Sequence, residues 1–264
     1  MDILELGSTR PVKSLRVVPS PGVRATAYLL KGFLNTTENY SKVIRMVREH
    51  GGRIIMIRPS SVFDEKIDMM IYAEVPERLE EKVAERIEEL RICDEVIIVE
   101  TGFKNLLINI LFPYMVGGYR AVVVTWPVSS GLMKRLRGRL GEEAAKTFLY
   151  HMGYEIGVET AKTFREIHGE TPGESMKRFL LLMRSLGYAC LRSFEEEGGT
   201  IWFELGDNWE ARVLGQGYST PQCYLSKGVF EGFIESLTGE DWVVEEVRCI
   251  AKGDEICGFK LTKG

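Results

Sequence analysis

Cys223-Tyr224-Leu225-Ser226-Lys227-Gly228-Val229-Phe230-Glu231-Gly232-Phe233 opens the stretch that decides the fold. It continues in Val244-Glu245-Glu246-Val247-Arg248-Cys249 and in Gly253-Asp254-Glu255-Ile256-Cys257. Three of the five cysteines stand in these pieces; the others are Cys93 and Cys190. An odd number of cysteines argues against a disulfide framework. Thiolates gathered beside carboxylates instead suit a thiophilic divalent ion, and a structural zinc site closes around four protein ligands in a tetrahedron. Residues 243–251 and 257–261 flank Lys252-Gly253-Asp254-Glu255 and are predicted to form a hairpin, whose pairing brings Cys249 and Cys257 to the same end. Cys223 opens a predicted helix over 223–237, ended by Gly239, and approaches from another element; the helix N-terminus favours its thiolate. The fourth donor is Glu245 or Glu246. Strand alternation favours Glu245, four residues before Cys249 and on the same face, unless a bulge intervenes.

Working outward, residues 188–194, 200–205 and 209–214 are short β-rich segments. Gly198-Gly199 and Gly206-Asp207-Asn208 separate them as turn signals, which predicts an antiparallel meander. Before them, residues 142–168 read as one long amphipathic helix with Phe148, Met152, Ile156 and Phe164 along its apolar side, joined by Tyr154 and Val158. Thr171-Pro172 starts another helix, running to Leu186 before Gly187. Residues 105–115 suggest an apolar helix, 120–126 a strand, and Ser129 the cap of a short basic helix to Leu140.

The N-terminal part has a different rhythm. Residues 1–22, with Pro11, Pro19, Pro21 and Gly22, read as an arm. Then follow a strand over 25–34, a helix capped by Thr36 or Thr37 and ended by Gly51-Gly52, and strands over 53–58 and 68–75. A helix opened by Pro76 runs to Leu90, and a strand over 94–100 closes the series. This βαββαβ order is the ferredoxin-like one. In element order and length it resembles the ACT family, whose members bind amino acids and pair through their sheets. The ACT ligand loop reads Asp-x-x-Gly-x-Leu; here Gly32-Phe33-Leu34-Asn35-Thr36-Thr37 lacks the aspartate. The resemblance therefore points to a dimerising scaffold rather than an amino-acid site.

The bulk numbers set bounds. With 264 residues, 45% hydrophobic and 27% charged, the chain is long enough for two cores and has ordinary globular composition. A net charge of -4 gives no basic field for nucleic acid. No apolar run reaches the length of a membrane span, and Met1-Asp2-Ile3-Leu4-Glu5 carries acids where a secretory signal carries bases, so a cytoplasmic protein is expected.

The cysteine-bearing stretch closely resembles the 4-vinyl reductase domain family, and the resemblance extends upstream to about Arg120. It includes Gly141-Glu142-Glu143-Ala144-Ala145 and Gly153-Tyr154-Glu155-Ile156-Gly157. This family includes sensor domains of aromatic-responsive activators and is related to small trafficking-complex subunits. In the aromatic sensors three cysteines and a glutamate three residues before the second cysteine hold zinc. The resemblance thus implies Cys223, Glu246, Cys249 and Cys257 as a structural zinc site, and it selects Glu246 over Glu245. The expected fold class is α+β: an arm over 1–22, an ACT-like ferredoxin-like domain over 23–101, and a 4-vinyl reductase-type domain over 102–264 with an antiparallel sheet and covering helices.

The same resemblance implies a pocket for a small hydrophobic molecule. Trp202 lies at the distance from the first cysteine at which those sensors place a cavity-lining tryptophan, and Phe233 falls near another of their pocket positions. Tyr154, Phe179 and Tyr224 are further candidates, with Met183 and Phe203 beside them. The histidine that bonds a phenol hydroxyl in those sensors has no counterpart here: His151 and His168 fall on the long helix and His50 in the other domain. An apolar ligand is expected. These features together predict a regulatory ligand sensor acting through a protein partner, with dimerisation through 105–115 or through the first domain. An enzyme related to vinyl reductases is the first rival, although no Gly-x-Gly-x-x-Gly follows a strand and no nucleophile–base pair stands out. A dimeric adaptor with a filled core is the second.

Overall fold

The computed structural model describes residues 22–99 and 109–264. They form two compact units divided between Ala121 and Val122. The arm, apart from Gly22, and the expected domain boundary after residue 101 lie outside the described residues.

In the first unit, β1 (Val23–Leu34), α1 (Thr37–Glu49), β2 (Arg53–Pro59), β3 (Lys66–Pro76), α2 (Glu80–Glu89) and β4 (Glu95–Ile98) follow one another. The sheet order is β2-β3-β1-β4, antiparallel throughout. One face packs Tyr28, Leu30, Met69 and Ile71 against Val43, Val47, Val83 and Ile87 of the helices. The other face buries Ala27, Leu29, Met70 and Tyr72. Burial on both faces explains why the two central strands read as nearly unbroken apolar runs. Thr36 caps α1 by accepting from the Asn39 N–H. Pro76 ends β3 instead of opening a helix, and α2 begins only at Glu80.

The helix expected over 105–115 lies outside the described residues as far as 108. Beyond that point no helix forms: Pro113, without an N–H, cannot sit inside one. Met115–Val116 instead forms β5 and pairs with β6 (Tyr119–Arg120). The turn residues Gly117 and Gly118 both take positive φ, 55° and 83°, as a two-residue hairpin of this twist requires.

The second unit comprises α3 (Trp126–Leu140), α4 (Glu142–Thr163), α5 (Pro172–Ser185), β7 (Cys190–Glu197), β8 (Thr200–Gly206), α6 (Trp209–Leu214), α7 (Tyr224–Thr238), β9 (Trp242–Arg248) and β10 (Cys257–Lys263). Its sheet runs β7-β8-β10-β9, again antiparallel. The inner face sets Ile201, Phe203, Leu205, Val244, Phe259 and Leu261 against Phe179, Phe230 and Phe233 of the covering helices.

α4 and α7 interlock through glycines. A Cβ on Gly153 would lie 2.1 Å from the Leu225 carbonyl oxygen, and one on Gly157 2.2 Å from that of Val229. From the other side, Cβ atoms on Gly228 and Gly232 would meet the carbonyl oxygens of Tyr150 and Tyr154 at 2.0 and 2.1 Å. Backbone touches backbone here, which only glycine permits. Above this crossing Tyr150 and Tyr154 donate to Glu231 and Glu235 of α7. The same two carboxylates accept the backbone N–H groups of Val244 and Trp242, so they tie α4, α7 and β9 together.

Several expectations are corrected. Residues 209–214 are a helix, not a third strand: the Asn208 side chain accepts from the Glu210 N–H, so the apparent turn signal is an N-cap. The strand over 120–126 does not form; Val122, Val123 and Val124 are exposed, Thr125 stands at the N-cap of α3, and Pro127 occupies its first turn. Ser129 is inside that helix and donates to the Thr125 carbonyl. α4 stops at Thr163, short of His168. Among the described residues no helix is long and apolar enough to cross a membrane.

Candidate metal centre

Three elements deliver four donors to one point. Cys223 is the N-cap residue of α7, Glu246 lies on β9, Cys249 follows the end of β9, and Cys257 is the first residue of β10. The Cys223 sulfur is 3.8 Å from that of Cys249 and 3.7 Å from that of Cys257. One donor atom from each of the four residues lies within 4.8 Å of every other, and all four residues are buried.

The choice between the two glutamates is settled by a bulge. β10 pairs Gly258 with Arg248 but Phe259 with Glu246, so β9 carries an extra residue at Val247. Val247 and Arg248 both turn outward. The bulge therefore reverses the alternation: Glu246 and Cys249, three apart, both face inward, whereas Glu245 is exposed.

The surroundings are polarised toward the cluster. Glu246 Oε2 accepts the Cys223 N–H at 2.8 Å, while Oε1 is buried with no hydrogen-bond partner. Backbone N–H groups of Gln222 and Ile250 point at the sulfurs of Cys249 and Cys257, each at 3.4 Å. Asn208 donates to the Cys223 sulfur at 3.7 Å. Burial pushes the Cys223 thiol well above its ordinary range, and the two neighbouring thiols push it further. Burial first, and then the Cys249 sulfur, push Glu246 up to about 9. Four acidic groups at this spacing cannot all ionise unless a cation lies among them.

Sequence reasoning missed Glu210. It is fully buried and accepts from the Leu225 N–H at 2.9 Å and from the Ser226 N–H and hydroxyl at 2.8 Å each. Cys223 makes no side-chain cap to α7. Glu210 therefore caps that helix from α6, placing negative charge at its positive end and leaving the thiol free. Burial pushes its carboxyl up to about 7, against the pull of the N–H donors. Its signal was an acid in a first helical turn, hidden because the segment resembled a strand. Behind it, Arg137 is buried and donates to the side chain and carbonyl of Gln222.

The expected ligand-lining residues separate into two sets. Phe179 and Phe233 are buried and stacked, ring centroids 4.4 Å apart, and Phe203, Phe230 and Phe259 interlock beside them. Trp202 does not join them. Its neighbours Ile201 and Phe203 face inward, so strand alternation puts Trp202 on the outer face, where the Lys260 ammonium sits 5.0 Å from its ring centre. The Tyr154 hydroxyl is held by Glu235 at 2.6 Å, and Tyr224 lies under Lys146. His168 bonds the Ala161 carbonyl, His50 that of Met46, and His151 lies exposed beside Tyr150.

With this geometry in hand, comparison with known families is informative. Residues 203–263, which contain all four donors, match the family model of the 4-vinyl reductase domain. The C-terminal part carries a 4-vinyl reductase domain. Upstream of that domain, residues 114–189 match the family described as an activator of aromatic catabolism. An uncharacterized protein of Methanocaldococcus jannaschii is 26% identical over 139 residues, which cover 49% of this chain; the chain spans 61% of that relative's length. The phenol-responsive sensory domain of the transcription activator PoxR aligns with a TM-score of 0.47 and 23% identity over 56% of this chain and 79% of its own. A vinyl-4-reductase family protein from Methanocaldococcus jannaschii gives 0.40 and 15% over 55% and 84%. A trafficking protein particle complex subunit 3 from Naegleria fowleri, covalently bound to palmitic acid, gives 0.40 and 15% over 53% and 95%.

Proposed function

We propose that the chain is a regulatory protein that senses a small hydrophobic molecule through its second unit, and that a structural zinc ion closes the 4-vinyl reductase domain of that unit. The observation that carries the sensor reading is the tandem match: residues 114–189 to a family of activators of aromatic catabolism, and 203–263 to the 4-vinyl reductase domain. The first unit, with its βαββαβ order and sheet order β2-β3-β1-β4, fits a ferredoxin-like, ACT-type scaffold that contributes no ligand chemistry of its own.

Zinc suits the donor set. With Zn–S bonds of about 2.3 Å, the edge of a tetrahedron is about 3.8 Å long. The measured sulfur separations of 3.7 and 3.8 Å meet that value. The partnerless Glu246 Oε1 offers the fourth donor. Cys223, Glu246, Cys249 and Cys257 would hold the ion and tie α7 to the β9–β10 hairpin, so its binding energy would become folding energy. Four protein ligands leave no position for an activated water.

An apolar guest would be admitted where Phe179 and Phe233 now stack at 4.4 Å. Their parting upon binding would give the guest different affinities for two conformations, which any signal requires. A second reading, an adaptor with a filled core, draws support from the same interlocked rings. Native mass spectrometry of freshly purified protein, followed by thermal shift with toluene, naphthalene and palmitate, separates the readings. A co-purified apolar molecule or a saturable rise in Tm is expected for the sensor. Zinc retained with neither effect would leave the adaptor; absence of zinc from the native mass would overturn the metal assignment.

A further inference from the structure

α3 and α4 pack on each other through Met133 and Leu149, yet each leaves an apolar stripe on its outer side. On α3 the stripe contains Val128, Leu132 and Leu140; on α4 it contains Phe148, Met152 and Ile156, spaced by four. These six side chains are between 37% and 64% exposed. That amounts to roughly 600 Å² of apolar side chain per copy, or about 1,200 Å² for two copies, where specific interfaces begin. It is also as large as the largest apolar patch a monomer ordinarily shows.

The charges beside the stripes are of opposite sign. The exposed ionic groups of α3 are Lys134, Arg135 and Arg139, with no acid on the helix or anywhere in residues 101–141. On α4 the exposed Glu155 and Glu159 each stand three residues beyond Met152 and Ile156, on adjacent ground. One stripe is apolar and basic, the other apolar and acidic, and both belong to the same chain.

We propose that this face docks a second copy of the chain, α3 of each copy lying against α4 of the other across a twofold axis. An isologous contact places complementary patches together twice, which two stripes of opposite charge on one chain allow. An anionic lipid surface suits α3 alone and would be repelled by Glu155 and Glu159. The inference is independent of the zinc and the ligand.

The test is the mass of the full chain in solution, by light scattering and native mass spectrometry at micromolar concentration. The wild-type chain is dimeric. Leu132→Glu, at an exposed position, weakens the dimer about 100-fold, as loss of a central apolar anchor does, without changing circular dichroism or Tm of the folded chain. A chain with Arg135→Glu and Arg139→Glu, and another with Glu155→Lys and Glu159→Lys, are each monomeric because their stripes now repel. Mixed, these two form a heterodimer. A monomeric wild type overturns the proposal, including one that floats with phosphatidylserine vesicles. So does a dimer that survives Leu132→Glu, or a mixture of the two folded charge variants that yields no heterodimer.

Discussion

Replacing Gly157 by alanine and Gly138 by alanine makes the same chemical change in two helices, yet the structure predicts opposite signs. At Gly138, on α3, an added Cβ meets nothing within 4 Å. There alanine removes only the entropic cost of a helical glycine, stabilising by about 1 kcal/mol. At Gly157 the added carbon lies 2.2 Å from the Val229 carbonyl oxygen and 2.6 Å from the Phe233 nitrogen. Non-bonded carbons pack best at about 3.5 Å, so the site lacks about 1 Å of room. The atoms met are backbone, so no rotamer change relieves the contact; α4 and α7 must move apart along the whole crossing. Overpacking of this kind costs about 3 kcal/mol, and the gain in helix propensity returns about 1 of it, leaving a net loss of about 2 kcal/mol. In a chain this long each kcal/mol moves Tm by roughly 2–4 °C, so Gly157→Ala lowers it by roughly 4–8 °C and Gly138→Ala raises it by roughly 2–4 °C. Differential scanning calorimetry of both variants in one buffer reads the difference. Equal shifts of the same sign would refute the backbone-on-backbone crossing.

Other outcomes follow from the same geometry. Cys249→Ser, or a strong chelator, lowers zinc content and Tm together; unchanged metal stoichiometry by plasma emission would remove Cys249 from the site. Glu210, pushed up to about 7, binds a proton more readily folded than unfolded. Its contribution is therefore fully present below about pH 4.5 and is lost as pH rises through about 7, costing on the order of 3 kcal/mol. Glu210→Gln mimics the protonated form, so urea titrations should show the wild type losing that stability relative to the variant between pH 5 and 8; parallel pH profiles would contradict it. Phe233→Ala, opening a cavity in the stacked aromatic core, costs about 3–5 kcal/mol, whereas Trp202→Ala on the outer sheet face costs less than about 1.5 kcal/mol. Equal losses in denaturant titration would put Trp202 inside the core.

Much of the architecture was legible because it depends on local chemistry. Thr36 before α1 and Thr171-Pro172 before α5 cap as their side chains dictate. The apolar runs of β1 and β3 announced strands buried on two faces. Where local signals competed, the sequence misled. Gly206-Asp207-Asn208 is equally a turn and a helix start, and only the place of Glu210 beneath α7 decides for the helix. Val122-Val123-Val124 has every β propensity but no partner strand, and a strand exists only as half of a pair.

The candidate site divides along the same line. Three cysteines near one hairpin and one helix start are a one-dimensional pattern, readable because thiolates close in sequence converge wherever the chain must turn. Which glutamate turns inward depends on a single extra residue at Val247, imposed by pairing with β10 and invisible to strand parity. The glycines at 228 and 232 are evident by their spacing, but their partners at 153 and 157 are fixed only by two helices touching backbone to backbone. Sequence alone determined which groups this chain has to offer and how often they recur. Tertiary structure decided which of them meet, because register and helix crossing are set by the packing of whole elements rather than by any residue's own preference.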